Sequence, residues 1–327
     1  MSLYRGRRVL VTGGGGFLGS YVVRELVKEG ATVRIASRNP RPVDERGIEV
    51  LAADLRLPEG SQAAVEGVEF VFHLAAVGWG LGENARRQPE LLTQNLLMNT
   101  VLLDAAYRAG VERYLLTSSS SVYPGHLSML DEDAPWDSPP HSSEEGFGWA
   151  KRMAEIQARM YATGYGMKIA VVRPTNPYGP GDNFDPTSSH VIPALIHKVL
   201  VGGNPVIVWG SGKAVRSFVH ARDVARGMLL ALERYAVCDP VNLASEETAS
   251  VGDLVRLIVE LSGRRDARIE YDSSKPEGHP CKIPPVKKAE KKFGFRAECR
   301  LREGLEETIL WYRERSLAGE ALGGNRA

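Results

Sequence analysis

The sequence predicts a doubly wound α/β fold, a parallel sheet covered by helices on both faces, with a second, smaller mixed α/β lobe. Three observations carry this. Short apolar runs alternate with helical patterns through the first half of the chain. Three glycines at three-residue spacing separate the first run from the first helix. After Pro174 the alternation gives way to longer loops in which proline and glycine cluster. Alternating βα units whose strands are apolar on both sides are the signature of a buried parallel sheet.

Taken in order, "RVLVT" (residues 8–12) is an apolar run that ends in glycines, and a helical pattern follows over 17–29. "TVRIA" (32–36), "IEVLAA" (48–53) and "EFVFH" (69–73) read as further strands. "LLTQNLLMNTVLLDAAYRAG" (91–110) is a long helix closed by glycine, which stops helices readily. "RYLLTS" (113–118) is the next strand, followed by a helix from about residue 150 and the strand "KIAVVRP" (168–174). "SFVHARDVARGMLLALE" is again strand then helix, so the chain is expected to return to the first lobe. The predicted division is 1–174 plus 217–245 for the first lobe and 175–216 plus 246–316 for a smaller, substrate-binding lobe. Residues 317–327, without periodicity, are expected to form a flexible tail.

The length of 327 residues suits one large or two ordinary domains. A formal net charge of +1 gives no broad footprint for nucleic acid or anionic membrane; the basic stretch "KKAEKKFGFR" reads as a solvated helix face. Cys238, Cys281 and Cys299 are odd in number and lack metal-ligand spacing, so neither a disulfide framework nor a zinc site is expected. The N-terminus runs straight into a strand and no apolar run reaches spanning length, which makes the cytoplasm the expected location.

In "VLVTGGGGFLGSYVVREL", Gly13, Gly16 and Gly19 make a tight turn, and Phe17 opens the helix behind it. The absent side chains leave room for a pyrophosphate, and the helix N-terminus offers free N–H groups and a positive dipole end. The end of the second strand reads "RIASRNPRP", with no acid to grip the ribose hydroxyls of NAD. Arg38 there is either a surface residue or a partner for a 2′-phosphate, which favours NADP(H) while leaving NAD open. Asp54 is a candidate acceptor for the adenine amine. His73 reads as a packed strand-end residue.

"TGGGGFLG", "HLAA", "SSSSVYP", the helix bearing Lys151, "RPTNPYGPGDNF" and "RSFVHARDVA" together resemble the extended short-chain dehydrogenase/reductases, the NAD-dependent epimerase/dehydratase family, over nearly the whole chain. "PTNPYGPGDNFDPTSSHVIPAL" and "SSKPEGHPCK" are most similar to the GDP-L-fucose synthases within it, epimerase–reductases acting on GDP-4-keto-6-deoxymannose. The resemblance implies hydride transfer at a sugar carbon, with a tyrosine supplying or taking the proton. Lys151 would lower that tyrosine's pKa and hold the nicotinamide ribose, and Ser119, four residues before Tyr123, would polarise the sugar oxygen.

The tyrosine position, one helical turn before Lys151, is Phe147. Three readings follow: a Tyr→Phe change that traps a bound substrate, an enzyme that draws its proton from elsewhere, or a catalytically silent nucleotide-sugar-binding protein. Retention of Lys151 and Ser119 favours the first, since a decayed site would have lost several parts. The resemblance also implies a cysteine–histidine pair for epimerisation at the carbons beside the ketone. The histidine matches His190; the cysteine position, two before Tyr123, is Ser121, a poorer base, which argues against ring-carbon epimerisation. His190 is left as a ligand for a sugar hydroxyl or as a helix N-terminal residue.

By the same resemblance, Asn176, Arg216 and Lys275 would hold the nucleotide sugar, with Lys282 either a further contact or a solvated surface group. Arg216 suits a diphosphate because its planar fork binds two oxygens. Trp79, within "VGWGLGEN", sits in a mobile loop over the sugar or packs at the lobe interface, and Asp223 is expected to cap a helix. A homodimer through a four-helix bundle, built from the helices at 91–110 and 150–161, is the family's usual assembly. The expected activity is C4-keto reduction; the alternative is a C4 epimerase that keeps its NAD.

Overall fold

The computed structural model describes residues 2–40, 47–275 and 277–318. The tail expected at 317–327 lies outside them apart from Leu317 and Ala318. Six strands and five helices alternate through the first half: β1 Arg8–Thr12, α1 Phe17–Lys28, β2 Thr32–Ser37, β3 Ile48–Ala52, α2 Pro58–Val65, β4 Phe70–His73, α3 Leu81–Arg86, α4 Gln88–Arg108, β5 Arg113–Thr117, α5 Glu145–Tyr165 and β6 Lys168–Pro174. There follow β7 Pro177–Tyr178, α6 Val191–Leu200, β8 Val206–Trp209, β9 Val215–Ser217, β10 Val219–His220, α7 Ala221–Arg234 and β11 Val241–Leu243. The last elements are β12 Thr248–Ser250, α8 Val251–Leu261, β13 Ile269–Asp272, β14 Cys281–Lys282, α9 Lys287–Phe293 and α10 Leu301–Leu317.

The main sheet is parallel throughout, with seven strands in the order β11-β6-β5-β4-β1-β2-β3. Successive residues of each strand point to opposite faces, and both faces are buried. Val9 and Val11 of β1, Phe70 and Phe72 of β4, and Val241 and Leu243 of β11 pack under α1, α7 and α9. Leu10, Val71, Tyr114, Leu116 and Val171 pack under α2, α4 and α5 on the other side. This is why the strands read as unbroken apolar runs rather than as an alternating pattern. Among the described residues, no helix is long and apolar enough to cross a membrane.

Beyond β6 the strands form small sheets: β10 with β7, β13 with β8, and β9 between β12 and β14. Ile196 and Val199 of α6, Val208 of β8, Leu254 and Ile258 of α8 and Leu305 of α10 share a separate core. The chain returns to the large sheet at β11, and Ala289 and Phe293 of α9, followed by Phe295, pack onto the first core.

Two local expectations need correction. The helix expected from about residue 150 starts at Glu145, with Glu144 as its N-cap. Its first turn contains Gly146 and Gly148, poor helix formers that obscure its start in the sequence. Contact explains them: a Cβ on Gly146 would come 2.3 Å from the Gln88 carbonyl oxygen, and one on Gly148 2.4 Å from that of Ser121. Asp223 does not cap α7. The His220 ring accepts the Arg222 N–H there, while the Asp223 carboxylate accepts N–H groups of Glu298 and Cys299.

Candidate active site

The carboxyl ends of β1, β2, β4 and β5 open into one cavity of about 690 Å³, which continues between α6, β8 and β9. Its first wall is the turn between β1 and α1. Gly13 has φ +69°, and a Cβ there would meet the Ala75 backbone at 3.0 Å. Gly19 lies so close that a Cβ would sit 2.0 Å from the Gly13 carbonyl oxygen. Gly16, extended at the N-cap of α1, supplies no side-chain cap, so the first amides of α1 point at the cavity unpartnered by a side chain. A cradle that side chains would fill, facing a helix N-terminus, fits the pyrophosphate of a dinucleotide.

Phe17, Arg38 and Asp54 also line this wall. Arg38 is exposed. The Asp54 carboxylate is engaged by Arg56, whose Nε donates at 2.9 Å, and this pairing holds Asp54 below the usual carboxylate range. Arg56, not singled out from the sequence, thus shares this end of the cavity with Arg38. His73 is wholly buried, with Nδ1 2.8 Å from the Thr12 hydroxyl and Nε2 2.8 Å from Asn99 Oδ1. The Thr12 oxygen already accepts two N–H groups, so its proton goes to Nδ1 and the imidazole donates from Nε2. Burial keeps this ring neutral, pushing its pKa down to about 3.

At the centre, α5 places Phe147 and Lys151 four residues apart on one face. Lys151 is buried, donates to the Thr117 carbonyl at 2.8 Å and lies 5.5 Å from the centre of the Phe147 ring. Burial pushes its pKa down to about 8, with the Glu155 carboxylate opposing. Ser119 caps a short 3₁₀ turn, Ser120–Val122; its Oγ accepts the Ser121 N–H and lies 3.2 Å from Ser121 Oγ. Ser121 Oγ reaches Glu144 Oε2 at 3.2 Å, and the same oxygen accepts from Lys282 Nζ at 2.6 Å. Burial works against the charge on Glu144, but Lys282 outweighs it and holds the carboxyl low.

Opposite this group stands His190, at the N-cap of α6, with Nδ1 4.0 Å from Asp182 Oδ1. Desolvation opposes a charge on His190, yet Asp182 and Glu144 raise its pKa above the ordinary value. The segment 78–80 lies between the two sides: a Cβ on Gly78 would touch the Phe147 ring at 4.0 Å, and one on Gly80 would meet the Ser189 carbonyl at 2.6 Å. Trp79 lines the cavity with Arg87 stacked 4.1 Å from its ring centre, and the expected loop turns into α3 immediately after it. Buried Asn95 of α4 holds this segment by exchanging hydrogen bonds with both the N–H and the C=O of Val77.

At the far end, Asn176 and Arg216 face the cavity. Asn176 has φ +42° and donates to the Ser217 carbonyl. Lys275 is exposed and is not among the lining residues; it follows a turn in which Asp272 accepts from Ser274. Lys282, on β14, is the lysine that reaches the cavity. Glu144 and Asp182 escape the sequence: an acid at a helix N-terminus, such as Glu144, is too common a signal, and Asp182 sits in a loop between β7 and α6. Among the described residues, no cluster of His, Cys, Asp and Glu is placed to hold a metal ion.

A glycine cradle at the head of a parallel sheet, with a buried lysine and a serine at its centre, defines a nucleotide-dependent oxidoreductase-type site on an extended short-chain dehydrogenase/reductase fold. The chain belongs to the NAD dependent epimerase/dehydratase family, which matches residues 9–244. It is 32% identical to dTDP-4-dehydro-6-deoxy-D-allose reductase of Streptomyces bikiniensis, over 95% of this chain and 97% of that protein. It superposes on the NADP-bound GDP-L-fucose synthetase of Naegleria fowleri with a TM-score of 0.81 at 28% identity, covering 97% of this chain and 96% of the other. MoeE5 in complex with UDP-glucuronic acid and NAD gives a TM-score of 0.81 at 32% identity, covering 94% of this chain and 99% of that one.

Proposed function

We propose that the chain is a nucleotide-sugar reductase that transfers hydride from NADPH to C4 of a 4-keto hexose linked to a nucleoside diphosphate. The observation that carries this is the single cavity that joins the glycine cradle to Ser119, Lys151, Arg216 and Lys282. A bound dihydronicotinamide would supply the hydride. Gly13, Gly16 and Gly19 with the α1 N-terminus would hold its pyrophosphate, Arg38 its 2′-phosphate and Lys151 its nicotinamide ribose. Ser119 would polarise the sugar oxygen. Arg216 offers positive charge to the sugar diphosphate, with Asn176 and His190 toward the sugar.

The similarity to a 4-keto-sugar reductase and to a GDP-L-fucose synthetase supports the reaction type. Similarity to the UDP-glucose 4-epimerase of Thermotoga maritima, with a TM-score of 0.82 at 26% identity, and to MoeE5 with bound NAD supports a second reading, a C4 epimerase with resident NAD. The deciding experiment incubates the purified chain and its Phe147→Tyr variant with dTDP-, GDP- and UDP-linked 4-keto sugars. It follows NADPH absorbance and product configuration by NMR. Net oxidation of NADPH supports the reductase. Interconversion of C4 epimers by protein purified with its cofactor supports the epimerase. No turnover by either chain leaves a silent binding protein.

The cofactor preference has its own test. Arg38→Ala is expected to weaken NADPH binding by about tenfold, the loss of one charge-assisted hydrogen bond, while NADH binding stays within about twofold. Calorimetry that finds equal losses for both would remove Arg38 from phosphate recognition. The proposed assembly is a homodimer through α4 and α5. Leu97 of α4 and Met153 and Met160 of α5 are exposed, Met160 at 60%, on the sides of the two helices turned away from the sheet. Light scattering should give twice the chain mass, and Leu97→Glu with Met160→Glu should halve it.

A further inference from the structure

We infer that this chain carries a second proton path into its active site, running from Lys282 through Glu144 and Ser121 to Ser119, which serves the sugar oxygen in place of the phenol that Phe147 lacks. The inference rests on the proposed reductase reading and supplies the step that reading leaves without a donor.

The geometry is continuous. Lys282 Nζ is 2.6 Å from Glu144 Oε2, that oxygen is 3.2 Å from Ser121 Oγ, and Ser121 Oγ is 3.2 Å from Ser119 Oγ. Ser119, Ser121, Glu144 and Lys282 all line the same cavity as Phe147 and Lys151. Backbone anchors the Ser119 end of the path, where the Ser119 oxygen accepts the Ser121 N–H, and Glu144 stands at the N-cap position of α5, three positions before Phe147. Hydroxyl rotors can point either way along such a chain, so it conducts a proton in both directions.

The step balances as follows. A bound dihydronicotinamide would supply the hydride for C4, and the C4 oxygen would then need one proton. The Ser119 O–H bond breaks and the proton forms the new O–H at C4. Ser119 takes the proton of Ser121, Ser121 takes one from Glu144 Oε2, and Glu144 takes one from the Lys282 ammonium. Lys282 is left neutral and regains its proton from water, which reaches its side chain at 10% exposure. Glu144 ends as it began, a carboxylate, so it passes the proton without being its source. Ser121, a poor base for abstracting a proton from carbon, is well suited to this role because a hydroxyl both donates and accepts.

The test compares two substitutions in two backgrounds, with steady-state reduction of a 4-keto nucleotide sugar by NADPH. Ser121→Ala removes the middle hydroxyl and leaves the Glu144–Lys282 pair in place; Glu144→Gln removes the acceptor. In the Phe147 chain each is expected to lower kcat about tenfold with KM within about twofold, at the low end for loss of a proton-transfer group. In the Phe147→Tyr chain the same substitutions should cost less than about threefold, because a phenol beside Lys151 takes over the proton. Equal losses in both backgrounds would mean a structural role and overturn the path. A Phe147 chain with no turnover beside an active Phe147→Tyr chain would also overturn it, while leaving the reductase reading intact. Inactivity of both chains on every nucleotide sugar would sink that reading and the path together.

Discussion

Phe147→Tyr raises kcat for NADPH-dependent reduction of a 4-keto nucleotide sugar by about 10²-fold or more, the usual contribution of a positioned general acid. The surroundings are already in place. Lys151 lies 5.5 Å from the ring centre and is buried against the Thr117 carbonyl, so a phenol at this position gains an ammonium neighbour without any rearrangement. That ammonium favours the phenolate and brings the tyrosine toward the working pH. Ser119 stands on the same cavity wall to polarise the oxygen that receives the proton. KM should change little, since the hydroxyl acts mainly in the transition state. Stopped-flow absorbance at saturating cofactor measures the gain. A change below threefold would show that proton transfer does not limit this chain.

Glu155→Ala is expected to destabilise the fold by about 3–5 kcal/mol, because it strips one partner from a fully buried ion pair. Arg173 grips Glu155 with two hydrogen bonds, at 2.9 and 2.7 Å, and both side chains are under 5% exposed. Arg173 Nη1 also donates to the Tyr123 hydroxyl, which donates to Asn242 on β11, and Glu155 accepts from Ser118 at the end of β5. The network therefore ties α5, β5, β6 and β11 together directly beneath Lys151, and Glu155 is the group that opposes loss of charge on that lysine. Urea unfolding monitored by circular dichroism gives the number. Glu155→Met with Arg173→Met should recover much of the loss, because an apolar pair leaves no orphaned charge. A Glu155→Ala loss under 1 kcal/mol would show that water reaches Arg173.

Much of the first half was legible in the sequence. The strands expected at 8–12 and 168–174 match β1 and β6 at both ends, and the remaining four of the series differ by a residue or so. Their apolar runs are continuous because both sheet faces are covered, and glycines mark the ends of the helices. The site was partly legible. Ser119, Ser121, Phe147, Lys151, Asn176, His190 and Arg216 do meet in one cavity. What escaped was set by contacts far apart in sequence. Gly146 and Gly148 hid the start of α5 because their reason is the approach of Gln88 and Ser121. Glu144 reads as an ordinary helix-start acid until β14 brings Lys282 to it across 138 positions. Lys275 and Lys282 look alike in the sequence until the pairing of β14 with β9 brings Lys282 beside Arg216 at the cavity.

The last strand of the large sheet has a consequence for how the chain is made. Val241, Asn242 and Leu243 pair with Val172, Arg173 and Pro174. A nascent polypeptide halted anywhere from residue 175 to 240 therefore presents β6 as an open, apolar parallel edge, the template on which chains stick to one another. Synthesis must run through a whole intervening substructure before the first six strands are sealed. Dividing the gene within that stretch would yield two fragments that need each other to stay in solution.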